Sequence, residues 1–274
     1  MKKVRGLFSN MSTSLLTTPV GTYHNEDVLE GFTADAEYLG QANDNFEHYD
    51  HNFYKLCKLD NHYIFEFLEN EDTVINPMNM SQLTKILHNK MKLGKACDIY
   101  QLTIEHLRYC GPDALQEILN LINRILKDIY YLTCQQLKLG LASAIFKGKN
   151  KPPNSSNSYR RITVTPYIGA IIDHYLAPIG ESIFLKTQSP DQLGFTSGIS
   201  YLLAAVERGE CQRTAIDGKS TCFGVSLDGE AAFPSVNRTI QVRELYTAGE
   251  RGDLLRYSKN TYENTEVENL VEEL

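Results

Sequence analysis

The sequence predicts an α+β protein, and three features carry that prediction. Apolar residues recur at helical spacing through the middle and near the end of the chain. Two short apolar runs flank a polar loop, as the arms of a hairpin would. One further apolar run stops abruptly on an aspartate. Hydrophobic residues fill 42% of the 274 positions, so one large or two modest domains can each bury a core.

Residues 1–77 show no sustained period. They are rich in Asn and Asp, carry Gly21, Gly31 and Gly40, and scatter aromatics from Phe46 to Phe67, so they read as a partly ordered linker whose short helices could dock elsewhere. A helix is expected from Ser81, with Leu83, Ile86, Leu87 and Met91 on one face and Gly94 placed to end it. A second spans Leu102 to Tyr109. Gly111-Pro112-Asp113 opens a third, with proline in its first turn and a stripe from Leu115 through Leu119, Ile122 and Leu126 to Ile129.

The period then changes. Ala142 to Lys147 and Arg161 to Thr165 read as two strands joined by a polar loop, Gly148 to Ser158, that contains Lys149, Lys151 and two prolines. Pro166 opens a helix to about Phe184, and another is expected from Ser197 to Arg208. Thr221 to Leu227 has the pattern of a buried strand ending on Asp228. Helices near 239–248 and 252–262 precede an acidic, frayed tail at 265–274.

The net charge of −7 argues at first against a nucleic-acid partner, but it is unevenly distributed. Residues 22–76 hold 13 acidic and 2 basic side chains, whereas residues 77–161 hold 13 basic and 5 acidic ones. The basic middle is either a phosphate-facing surface or an ordinary solvated helical one. The six cysteines form no CxxC pair and read as reduced, mostly buried thiols. No stretch approaches 18 uncharged apolar residues and no signal-peptide pattern opens the chain. The expectation is an intracellular, unsecreted protein, cytoplasmic or nuclear, with no membrane partner.

An aspartate closing a buried strand is a common ligand for a divalent cation, and a common helix cap. Its surroundings separate the two. Asp228-Gly229-Glu230-Ala231-Ala232-Phe233-Pro234-Ser235-Val236 resembles motif A of reverse transcriptases, Asp-x-x-x-Ala-Phe-Asp-x-Val. Lys95 to Leu107 is similar to the segment that opens this domain in non-LTR, LINE-type retrotransposons. Ala144 to Lys149 with Asn157 to Ile162 is similar to its fingers hairpin, Gln192-Leu193-Gly194-Phe195 to the segment before motif A, and Leu245 to Tyr262 to the helical stretch after it. The five segments run in order over roughly residues 78–264. The resemblance therefore implies the N-terminal part of a reverse transcriptase domain: a helical extension, then the fingers and the start of the palm of an incomplete right-hand polymerase.

By that resemblance Asp228 is a catalytic, metal-binding carboxylate and the Gly229 carbonyl a second ligand of Mg²⁺. The amides of Ala231 and Ala232 face phosphate, and Phe233 packs on the sugar. Arg160 grips phosphate, with Lys147 or Lys149 as its companion. Template-primer RNA or DNA and a deoxynucleoside triphosphate would be the partners. The chain also departs from the pattern. Pro234 stands for the usual Asp, Arg161 for the usual Pro, and the sequence contains no Asp-Asp pair. One carboxylate cannot hold two Mg²⁺ ions for phosphoryl transfer, so the expectation is a polymerase fragment inactive by itself, or a non-catalytic nucleic-acid-binding or interaction module.

Overall fold

A computed structural model describes residues 14–41, 50–68, 75–128, 135–148, 150–194, 196, 198–227, 236–262 and 266–269. The fold is mixed α/β and largely helical. Its elements follow in chain order. Strands β1 (Leu15–Thr17) and β2 (Thr22–His24) precede helices α1 (Val28–Gln41), α2 (His51–Leu68), α3 (Met80–Asn89), α4 (Ile104–Arg108), α5 (Pro112–Lys127) and α6 (Gln135–Lys138). Strands β3 (Leu139–Phe146) and β4 (Tyr159–Val164) come next. Helices α7 (Tyr167–Thr187), α8 (Tyr201–Asp217), α9 (Arg238–Ala248) and α10 (Gly252–Tyr262) and strand β5 (Glu266–Asn269) complete the order.

The main core is the stripe of α5 meeting α3, α4 and α7. Leu119, Ile122 and Leu126 pack with Leu83, Leu87, Ile104, Ile171 and Ile172, all buried. Burying side chains of this size stabilises by roughly 1.5–3 kcal/mol each relative to exposure. The starts of these helices are specified locally. Asn79, not the expected Ser81 two residues later, caps α3 in a reciprocal box with Gln82. Pro112 occupies the first turn of α5 as expected. Gly94 takes φ 70° beyond α3, a conformation that costs a glycine little.

A knot of hydrogen bonds centred on Asp98 holds α4 and α7 in place. Asp98 is 1% exposed; its Oδ1 accepts from the Tyr100 and Leu102 amides at 3.0 Å and its Oδ2 from the Tyr167 amide at 3.0 Å. The carboxylate thus satisfies an orphan N–H at the start of α7, where an anion is also favoured by the helix dipole. Tyr167 returns the tie by donating from its hydroxyl to the Ala96 carbonyl at 2.7 Å. By length and composition α7 could cross a membrane. Its Tyr167, Ile171, Ile172 and Leu176 are buried in the main core.

Residues 1–77, expected to be a partly ordered linker, contain a hairpin and two long helices among their described positions. Neither helix has a clean apolar stripe, because each covers only a small satellite core. Leu16, Val28 and Phe32 bury against Tyr159 of β4. Ile64 of α2 buries with Val242 and Leu255, and Asn61 Nδ2 donates to the Thr239 carbonyl at 2.8 Å.

Three further expectations are corrected. The run Thr221 to Leu227 is no buried strand: it has no regular structure, and Phe223, Val225 and Leu227 are 84–93% exposed. No described strand lies beside it, and an apolar pattern without a pairing partner does not make a strand. Second, Glu266–Asn269 in the supposedly frayed tail pairs parallel with β3, so the larger sheet has the order β4-β3-β5. Its backbone satisfies the ladder edge that β4 leaves open. Third, the thiols are not mostly buried. Of the described cysteines only Cys57 is buried, while Cys211 and Cys222 lie exposed on α8 and the irregular run. Helix α8 also begins later than expected and runs on through Gly209 to Asp217 with no buried residue.

Candidate nucleic-acid interface

The β3–β4 hairpin forms as the polar loop and its flanking apolar runs predict, antiparallel, with Ile145 opposite Arg160 and Phe146 opposite Tyr159. Side chains alternate across a strand, so this register assigns every residue to a face. Tyr159, Phe146, Arg161 and Ala144 share one face. There the Tyr159 ring meets Phe32 edge-on at 5.0 Å and Phe146 at 5.3 Å. Arg160 and Ile145 share the opposite face.

Lys147 continues the ladder, its amide donating to the Ser158 carbonyl at 2.8 Å, and therefore falls on the Arg160 face. Both side chains are exposed. As diagonal neighbours across an antiparallel pair, their Cβ atoms lie roughly 7 Å apart. Lys147 Nζ donates to the Asn157 carbonyl at 2.6 Å, which holds the ammonium at the hairpin tip and leaves it further donors. Two cations thus share one face of a hairpin whose other face holds a packed aromatic pair, and both carry the N–H donors that a phosphate accepts from. Lys85, Lys90, Lys92, Lys95, Lys127 and Lys151 are exposed as well, and none is in an ion pair among the described residues.

Lys149, Asp228, Gly229, Ala231, Ala232 and Phe233 lie outside the described residues. The Mg²⁺ ligands expected at Asp228 and Gly229 are among them. Among the described residues no three His, Cys, Asp or Glu side chains converge on a common point.

Sequence reasoning missed what supports the interface from behind. Arg161 forms an ion pair with Asp35 of α1, which is 1% exposed, and burial pushes the Arg161 guanidinium below its usual range. Arg161 Nε is buried without a hydrogen bond. The pair fastens α1 to the back of β4, and the Thr17 amide adds a bond to the Asn154 carbonyl at 2.6 Å. The one signal available was that Arg161 departs from the proline of the hairpin motif this segment resembles, which left a strand amide and a charge with no stated use.

No protein-family model matches the chain, and no curated protein matches it.

Proposed function

We propose that this chain is part of the reverse transcriptase of a non-LTR retrotransposon, an RNA-directed DNA polymerase, and that its own contribution is to bind the phosphates of template-primer or nucleotide through the β3–β4 hairpin. The observation that carries the reading is the placement of Lys147 and Arg160 on one exposed face, opposite the face that packs on α1. The ordered resemblance over residues 78–264 supports it, and so do the helices at 80–89, 112–127, 167–187, 238–248 and 252–262.

With Asp228 as its one matching motif-A carboxylate and no Asp-Asp pair in its sequence, the chain binds but does not extend a primer by itself. Binding through the hairpin requires neither of the metal ligands expected at Asp228 and Gly229, so the non-catalytic binding module remains the second reading on the same observation.

The test is RNA binding by the whole chain, followed by fluorescence anisotropy across a salt series. Affinity for a short single-stranded RNA should fall steeply with salt. The double variant K147A/R160A should weaken binding and reduce the slope of log K against log salt by about two. Unchanged affinity and slope in the double variant would sink the proposal. Primer extension in the presence of Mg²⁺ separates the readings: extension means a complete polymerase site, and binding without extension fits the fragment or the module.

A further inference from the structure

A cavity of about 550 Å³ lies between α7 and the α9–α10 corner. Its walls are apolar where Leu176, Phe184, Leu185 and Leu254 contribute, and acidic at Asp173, Glu181 and Glu250. No lysine, arginine or histidine is among the residues lining it. The size falls within the range of small-molecule pockets, roughly 300–1,000 Å³.

Glu250 is the distinctive group. It is 4% exposed, and its backbone is fixed by the turn that ends α9, where Gly249 takes φ 115° and the Glu250 amide donates to the Leu245 carbonyl at 3.0 Å. Its Oε2 accepts from the Ser258 hydroxyl at 2.9 Å. Its Oε1 has no hydrogen-bond donor among the described residues and faces Gly180 of α7, where a Cβ would stand 4.0 Å away. The neighbouring cation does not compensate it. Arg251 stacks over the Tyr246 ring at 3.7 Å and spends its Nη1 on the Tyr246 and Glu250 carbonyl oxygens. Asp173, also on the lining, accepts from the Tyr257 hydroxyl at 2.7 Å.

Glu250 thus turns one carboxylate oxygen, without a donor among the described residues, into an apolar cavity whose lining holds no base. A bare metal ion is a poor fit, since no three acidic, His or Cys side chains among the described residues converge on one point. We propose that the cavity binds a small organic cation with an apolar body, an aromatic or alkyl ammonium, whose charged head donates to Glu250 Oε1. The walls take the apolar body, and the Phe184 ring adds a surface on which an ammonium can rest. A charge-assisted hydrogen bond in a desolvated site exceeds a neutral one by enough to discriminate ligands that differ only in the head group.

The experiment compares benzylamine with benzyl alcohol, neutral and of the same shape, by protein-observed NMR titration of the whole chain near neutral pH. Benzylamine should bind about tenfold more tightly than benzyl alcohol. E250Q should erase that preference. Gly180→Ala places a methyl beside Glu250 Oε1 on a helix that gains from the alanine, so it keeps the fold and should weaken benzylamine. Equal affinities for the two ligands, absence of binding, or a folded Gly180→Ala protein that binds benzylamine unchanged would each overturn the proposal. The last criterion holds even if E250Q fails to fold.

Discussion

Removing either partner of the Asp35–Arg161 pair should destabilise the protein, but by unequal amounts, and the inequality can be worked from the two exposures. The Asp35 side chain is 2% exposed and that of Arg161 27%. In Arg161→Met the carboxylate of Asp35 is left buried without its cation, and the loss should approach the usual cost of orphaning a buried charge, about 3–5 kcal/mol. In Asp35→Leu the orphan is a long side chain that already reaches water, so its head can move outward over its own stem and the loss should be about 1–2 kcal/mol. The double variant Asp35→Leu/Arg161→Met removes both charges and the unsatisfied Nε, and should return to within about 1 kcal/mol of the parent protein. Equilibrium urea denaturation of the four proteins gives the cycle. A larger loss in Asp35→Leu than in Arg161→Met, or a double variant as unstable as the sum of the singles, would refute the reasoning that burial of the orphan sets the cost.

Other consequences can be measured in the same way. Asp98→Ala orphans three backbone amides at once and should cost about 3–5 kcal/mol, whereas Asp98→Asn, which keeps one acceptor oxygen, should cost less. Gly31→Ala would set a Cβ 2.6 Å from the Tyr23 ring, so it should destabilise by about 1–3 kcal/mol in urea despite the better helix propensity of alanine. Burial pushes the Glu250 carboxyl above its usual 4.5. The stability it contributes is therefore fully present below about 4.5 and is lost as pH rises through the raised folded-state value. Melting of E250Q against the parent from pH 4 to 8 should show the parent losing more stability over that window; parallel curves would contradict it.

The sequence by itself determined the elements whose signals are local. The stripe of α3, the first-turn proline of α5, the apolar runs of the β3–β4 hairpin and the helices at 238–248 and 252–262 are read from neighbours a few residues apart, where periodicity and local turn chemistry act. Arg160 and Lys147 were legible as cations of a hairpin, but their shared face follows from register, and register is a property of two strands aligned across a loop. Tertiary structure decided everything that depends on distant partners. Asp35 meets Arg161 across 126 positions, Asp98 caps a helix 69 positions away, and Asn61 reaches Thr239 across 178. It also decided against the strand at Thr221 to Leu227 and for a strand at Glu266–Asn269. The physical reason is the same in both cases. A strand exists only where another strand's backbone groups are free to pair with it, and no pattern within the segment records whether that neighbour is there.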